Sequence, residues 1–478
     1  MFVFTTINNY HKDLSNGQYT CAEAVNIYLK NINEKQHLNA FVEVYTKEAM
    51  AKAIVLDEQR KQGLPLKKLH GVVIAIKDVI CYNGHKVTAA SKILDGFESL
   101  YTASALQYLI DEDAIIIGSC NCDEFAMGST NENSVYGKVL NALNETKVPG
   151  GSSGGSAVAV QANMCMLSLG SDTGGSVRQP ADFCGIIGLK PSYGTISRYG
   201  LIAYASSFDQ IGIFGKTVGD VALLLEIMSK PDEKDSTMNV LKSTSEFAKH
   251  SPEKKYKIAF LKQALEHDGI DAEIASKIKL FQKDLKDNNH HVAEINFDLL
   301  EFIVPAYYVL TTAEASSNLS RYDGVRYGHV SKIVPENLSE FYLNNRTEGF
   351  GAEVKRRIML GTFVLSTGYY DAFYSKAQKI RNLLVKKITE IFDEYDAIIM
   401  PVSPCTAFDI GQNDKDPIAM YLADIFTVFA NLTGVPAIAL PIFSHSNNMP
   451  FGVQVLCNKN DEVLLLQISD MIMEMGNK

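Results

Sequence analysis

The sequence predicts an α/β protein built on a large central sheet covered by helices on both faces. Short runs of apolar, mostly β-branched residues alternate with segments of helical spacing, as in Gly71 to Ile80, Ser104 to Asp111 and Ala114 to Ile117. Those runs are apolar at consecutive rather than alternate positions, the pattern of strands buried on both faces. Composition agrees: 46% of the 478 residues are apolar and 21% charged, enough to form a sizeable core. We expect a single domain over residues 1–478, with packing helices in residues 1–65 and an inserted lobe at about 230–300.

The elements follow in order. Thr20-Cys21-Ala22-Glu23 has the form of a capping box, and Ala24, Ile27, Tyr28 and Ile32 continue it with helical spacing. A second helix is expected from Thr46 to Gln62, stopping at Gly63. Gly71 to Ile80 reads as a buried strand interrupted by the charge of Lys77. A helix over Ser104 to Asp111 and a strand over Ala114 to Ile117 come next, then a polar loop, Asp123 to Ser129. Ala157 to Ala162 reads as a helix, and Met164 to Leu169 and Gly185 to Leu189 as strands. Lys230 to Lys255 is a charged surface excursion. Ile258 to Leu261 (strand), Asp271 to Lys286 (amphipathic helix) and Val292 to Ile295 (strand) make up the expected lobe. Helices dominate Leu299 to Tyr395, including Ala372 to Phe392. Strands at Ala397 to Met400, Pro436 to Pro441 and Val453 to Leu456 precede a closing helix, Glu462 to Met473.

Charge and cysteine usage narrow the function. The net charge of −10 argues against a strong nucleic-acid binder acting alone. The eight cysteines are scattered, and apart from Cys120-Asn121-Cys122 no Cys or Cys/His spacing suggests a metal, so none is expected. The start, MFVFTTINNYHK, lacks the basic end and apolar core of a signal peptide, and no apolar run approaches the roughly 20 residues of a membrane span. These features predict a cytoplasmic protein with no membrane partner.

The chemistry concentrates between Val148 and Lys190. Two Gly/Ser clusters, Gly150 to Ser156 and Gly174 to Ser176, flank a mostly apolar run. Such a cluster can be a linker, but here apolar residues resume at once on both sides, which points to backbone that must approach something closely. Ser176 follows a Gly-rich turn whose consecutive N–H groups can cradle an anion, making it the candidate nucleophile. Serine needs a base, and no histidine lies within or near either cluster. Lys77 sits among Val and Ile; it can end its strand and reach water, or be desolvated until neutral and basic. Asp78 would face the other way on a continuing strand.

Lys77, Ser152 in GGSSGGS and Ser176 in GSDTGGS together resemble the amidase signature family, whose catalytic triad is Ser-Ser-Lys. DEFAMGS (Asp123 to Ser129), RYGLIAYASSFDQIG (Arg198 to Gly212), AEASSNLSRYDGVRYG (Ala313 to Gly328) and EVKRRIMLGTF (Glu353 to Phe363) are similar, within that family, to the glutamine-hydrolysing subunits of tRNA-dependent amidotransferases. The resemblance implies an amidase-signature fold with a mixed sheet and a cis peptide at Gly151-Ser152. It implies Lys77, Ser152 and Ser176 as catalytic residues and N–H groups of Thr173, Gly174, Gly175 and Ser176 as the oxyanion hole. Met127, Gly128, Ser129, Tyr307, Arg356 and Asp424 would bind substrate, with Arg356 favoured over Arg357 for the carboxylate and Asp424 expected on a helix after Pro417.

The activity it implies is release of ammonia from glutamine to convert Glu-tRNA(Gln) to Gln-tRNA(Gln), or Asp-tRNA(Asn) to Asn-tRNA(Asn). A larger partner subunit would hold the tRNA with ATP and Mg²⁺, and a small subunit would brace the pair. No cofactor is expected in this chain. A free-standing amidase acting on small amides is the alternative. Gly150-Gly151-Ser152-Ser153-Gly154 also fits the G-x-S-x-G elbow, which would make Ser152 the nucleophile, but a Gly/Ser run meets that short pattern easily. Asp172-Thr173-Gly174 lacks the second triplet of an aspartic protease, and Gly154-Gly155-Ser156 lacks the P-loop lysine.

Overall fold

The computed structural model describes residues 2–239, 253–412 and 423–476. Its centre is one mixed sheet of 11 strands. In chain order they are β1 (Phe41–Val44), β2 (Val73–Lys77), β3 (Ile115–Cys120), β4 (Leu167–Asp172), β5 (Ile187–Lys190), β6 (Gln210–Gly215), β7 (Lys257–Leu261), β8 (His291–Ile295), β9 (Ala397–Pro401), β10 (Ala437–Ser444) and β11 (Pro450–Leu456). Across the sheet the order is β1-β3-β2-β4-β6-β5-β10-β11-β9-β7-β8. β2 runs parallel to β3 and β4, whereas β6 meets both β4 and β5 antiparallel.

Every residue of β2, β3, β4, β5, β6 and β9 is buried, as the apolar runs read at β2, β3, β5 and β9 predict; β6 is not marked in the sequence. The residues expected as an inserted lobe supply β7 and β8, which join β9 in parallel at the far edge of this same sheet. Residues 240–252 of the charged excursion lie outside the described residues.

Local signals hold at several helix starts. Thr20 caps Cys21–Glu34 through a complete capping box, its Oγ1 accepting from Glu23 N–H while Glu23 accepts from Thr20 N–H. The Asp271 carboxylate likewise accepts from two N–H groups of helix Ala272–Asp287. Several helices are not marked in the sequence, among them Ile7–Ser15, capped by Thr6 and burying Ile7, Tyr10 and Leu14, and Val218–Met228, capped by Thr217. The strand expected over Met164 to Leu169 instead occupies Leu167–Asp172, because pairing with β6 carries it on to Asp172↔Gln210. That shift brings the strand end to the threshold of the second Gly/Ser cluster.

Candidate active site

β2 delivers the candidate base. Lys77 is its last residue and is wholly buried. Burial pulls its ammonium down from 10.5 to about 8, opposed by the more distant acidic groups Cys122, Asp123, Asp172 and Asp209. Asp78 does not pair with it: the Asp78 carboxylate accepts from Thr88 N–H at 3.1 Å and Ala90 N–H at 3.0 Å.

Around Lys77 Nζ stand three serine oxygens, Ser152 Oγ at 2.7 Å and Ser153 Oγ and Ser171 Oγ at 2.9 Å each. Ser153 Oγ donates its own proton to the carbonyl of Ser171 at 3.1 Å, so it accepts from the lysine. A neutral amine has two N–H bonds and one lone pair. Donating to Ser153 and Ser171 leaves that lone pair for the Ser152 hydroxyl, which suits Lys77 as a proton acceptor.

Ser152 precedes helix Gly154–Gln161, and the Gly151–Ser152 peptide is cis. Only glycine fits at 151, since a Cβ there would stand 2.2 Å from Asp123 Oδ2. Asp123 in turn accepts from Asn131 N–H at 2.9 Å and Asn133 N–H at 3.0 Å, folding the DEFAMGS segment against the serine turn.

Ser176 occupies the turn between β4 and helix Arg178–Cys184. Its carbonyl accepts from Ser153 N–H at 3.3 Å, which joins the two Gly/Ser clusters. The residue is 8% exposed, whereas Lys77 and Ser152 are at 0%, so of the three Ser176 alone reaches solvent. Behind it Asp172 accepts from Gly175 N–H at 2.9 Å, from Val177 N–H at 3.2 Å and from the Arg178 fork at 3.1 Å on both oxygens. Burial opposes its ionisation, yet the charge and hydrogen bonds of Arg178, the charge of Lys190 and a hydrogen bond from Asn431 hold the Asp172 carboxyl at about 2. The Gly175 N–H is thus already engaged, which removes it from the expected oxyanion set and leaves those of Thr173, Gly174 and Ser176.

A second wall faces this loop. Tyr307, on helix Leu300–Asn318, packs so closely that a Cβ at Gly174 would lie 2.3 Å from its hydroxyl. Asp424 accepts from Ser129 Oγ at 2.9 Å and from Tyr308 OH at 3.0 Å. It lies in a turn ahead of helix Val428–Thr433 rather than on a helix, and residues 413–422, with Pro417, are outside the described residues. Burial lifts its carboxyl to about 7, against the hydrogen bonds of Ser129 and Tyr308 and the charge of Arg357.

The arginine on that wall is Arg357, not the expected Arg356. Arg356 has a side chain 51% exposed and pairs with Glu353 at the surface. Arg357 is buried on the same helix, Ala352–Leu365, one position further round. It donates to Glu353 Oε1 at 2.8 Å and to Tyr204 OH at 2.9 Å, and its guanidinium lies 5.4 Å from the centre of the Tyr308 ring. A step of about 100° per residue separates the two, and the sequence carries no sign of which faces inward.

A buried lysine, a serine hydroxyl against it, an exposed serine and a Gly-rich turn thus stand together where the paired strands β2 and β4 end. The amidase family model matches residues 23–466. The chain belongs to the amidase family. It is 46% identical over 472 residues to a glutamyl-tRNA(Gln) amidotransferase subunit from Chlorobium phaeobacteroides, covering 98% of each chain. The protein of that name from Koribacter versatilis is 46% identical over 454 residues, 94% of each chain. Among solved structures, the same glutamyl-tRNA(Gln) amidotransferase subunit from Thermotoga maritima matches with a TM-score of 0.76 at 38% identity, covering 94% of this chain and 90% of that one. A structure described as an amidase matches with a TM-score of 0.83 at 25% identity, covering 98% and 100%.

In this amidase the sequence reading passed over several contributors. Ser153 and Ser171 complete the surroundings of Lys77, and both lie inside the motifs already singled out. Arg178, Asn431 and Gln454 form the buried network behind the nucleophile: Arg178 donates to Gln454 Oε1 at 2.8 Å and Asn431 Oδ1 at 2.7 Å. Tyr308, next to the expected Tyr307, is the residue that bonds Asp424. Met127 is fully buried and Ser129 3% exposed, on the strongly turned segment after the short helical turn Glu124–Ala126. All eight cysteines are free, and among the described residues no cluster of His, Cys, Asp and Glu has the makings of a metal site. No described helix is long and apolar enough to cross a membrane.

Proposed function

We propose that this enzyme is the glutamine-hydrolysing subunit of a tRNA-dependent amidotransferase, releasing ammonia for conversion of Glu-tRNA(Gln) to Gln-tRNA(Gln) and, with a suitable tRNA, of Asp-tRNA(Asn) to Asn-tRNA(Asn). The observation that carries it is the pairing of a buried lysine ringed by serine hydroxyls with a wall holding the Asp424 carboxylate and the Arg357 guanidinium, the latter braced by Glu353. A free amino acid offers an ammonium to the first and a carboxylate to the second, and a guanidinium fork matches a carboxylate with two parallel bonds. The names of the relatives, shared over nearly the whole chain, point the same way.

In this reading Ser176 Oγ attacks the side-chain amide carbon of glutamine. Its proton passes to Ser152 Oγ, whose own proton passes to neutral Lys77 Nζ. The oxyanion is held by N–H groups of Thr173, Gly174 and Ser176, each such donor being worth about 3 kcal/mol in the transition state. The C–N bond then breaks, the departing nitrogen takes a proton back along the same path, and ammonia leaves an acyl-Ser176. Water attacks that ester in the same way and glutamate departs. Met127, Gly128 and Ser129 line the amino-acid end, with Tyr307 against the Gly174 turn.

The acidic net charge of −10 fits a chain that leaves most of the tRNA to its partner. We assign tRNA and ATP with Mg²⁺ to a larger partner, bracing of the pair to a small one, and a cytoplasmic location to the assembly. The test is labelling with a glutamine-like electrophile, alone and with the partner subunits, followed by peptide mass mapping. Label on Ser176, lost in Lys77→Ala, is expected, and its dependence on the partners separates an amidotransferase component from a free amidase. Label on Ser152 overturns the assignment of nucleophile, and hydrolysis of simple amides without labelling overturns glutamine.

A further inference from the structure

The arginine on the proposed substrate wall and the Gly-rich turn are joined by a chain of buried hydrogen bonds that passes through the main chain at Tyr204. Arg357 Nη1 donates to Tyr204 OH at 2.9 Å, and Tyr204 OH donates onward to Thr311 Oγ1 at 3.1 Å. The Tyr204 backbone N–H donates to Asp209 Oδ2 at 2.9 Å, and the next N–H, of Ala205, to Asp209 Oδ1 at 3.2 Å. The same Oδ1 receives the Thr173 hydroxyl at 2.7 Å. Thr173 opens the Gly-rich turn that ends at Ser176. Tyr204, Asp209, Thr173 and Arg357 are each 3% exposed or less, so water does not compete for these bonds.

Asp209 therefore holds two things at once: the loop that orients the arginine's tyrosine partner, and the threonine whose backbone N–H belongs to the oxyanion set. A carboxylate with three donors and no cation among them fixes geometry, because moving any one donor strands the others in a low-dielectric interior. Phe208, one residue before it, packs edge-on against Tyr307 with ring centres 5.8 Å apart, which adds a second brace from the same segment to the same wall.

We propose that Asp209 and Tyr204 are positioning residues that couple the carboxylate end of the substrate pocket, at Arg357, to the oxyanion donors of the Thr173 to Ser176 turn. Seating the substrate carboxylate on Arg357 fixes Tyr204, and through Asp209 fixes the turn that must receive the negative charge in the transition state. The enzyme thereby favours amides that carry a carboxylate at the right distance. The inference rests on glutamine as substrate.

The test is a double-mutant cycle on glutamine hydrolysis by the chain assembled with its partner subunits. Tyr204→Phe removes the hydroxyl that meets Arg357, and Thr173→Val removes the one that meets Asp209. Each is expected to lower kcat about tenfold, short of the roughly hundredfold or more lost with a whole oxyanion donor, with KM changed about twofold or less. Because both cut one chain, the double variant is expected to lose about as much as either single one, not their product of about a hundredfold. Thr173→Ser keeps the hydroxyl and is expected to lose clearly less kcat than Thr173→Val, which separates loss of this bond from general damage to the turn. Multiplicative losses, or a Tyr204→Phe effect confined to KM, overturn the coupling. Failure of the unaltered assembly to hydrolyse glutamine overturns the substrate assignment first, and the coupling with it.

Discussion

The ground behind the nucleophile and the wall opposite it both contain a buried arginine beside a buried carboxylate, and they use the pair differently. Arg178 sits at 0% exposure with both forks filled: Asp172 takes two of its bonds, Gln454 and Asn431 the others. The Asp172 carboxyl is accordingly held at about 2 and stays charged. On the wall the arginine's carboxylate partner is Glu353, at 2.8 Å, while Asp424, among the described residues, receives the hydroxyls of Ser129 and Tyr308 and its carboxyl is lifted to about 7. The first carboxylate is satisfied by the protein itself. Asp424 is held near its titration point by burial, which suits the ammonium-binding role proposed for it. The Arg178–Asp172 pair shapes the Ser176 turn; on the wall Arg357 is paired with Glu353, and Asp424, outside that pair, is left for that proposed role.

The largest effect follows from the first pair. Arg178→Leu strips Asp172 of its counter-charge in the interior and is expected to cost about 3–5 kcal/mol of stability, read as a fall in the urea midpoint. A loss below about 1 kcal/mol would dissolve the contrast between the two arginines. At the wall the expected loss is of substrate rather than of fold. Arg357→Lys replaces a fork by a point charge and is expected to raise KM for glutamine about 10- to 100-fold, whereas Arg356→Lys, at the surface, leaves it within about twofold. The reverse result would restore Arg356 to the site.

The smallest effect is a pH profile. Lys77 acts as a base only when neutral, and with its ammonium at about 8 the active fraction grows as pH rises towards and past that value. Asp424 attracts an ammonium only when ionised, a form that grows through about 7. Both move kcat/KM upward with pH, so the profile is expected to climb steeply below 7, less steeply to 8, and then level. Asp424→Asn should erase the lower inflection and leave the one near 8.

The two regions also differ in how far they could be read beforehand. Lys77, Ser152 and Ser176 lie within about a hundred residues on segments whose glycines and buried charge announce close backbone packing. The wall draws residue 129, residues 307 and 308, residue 357 and residue 424 from distant parts of the chain. Its tyrosines and arginines look like any others on amphipathic helices, and the choice between Arg356 and Arg357 is a rotation about a helix axis fixed by packing against Tyr204 and Tyr308.

By itself the sequence determined the strands buried on both faces, the capped helices and the serine–lysine motifs, since periodicity, caps and glycine placement are local properties of the chain. Tertiary structure alone decided that residues 257–295 extend the central sheet rather than form a lobe, that β4 runs on to Asp172, and that Gly175 N–H serves Asp172 rather than an oxyanion. The physical reason is common to all three. Strand partners and hydrogen-bond acceptors are supplied by residues far away in the chain, and a donor's fate depends on which acceptor the fold brings within reach.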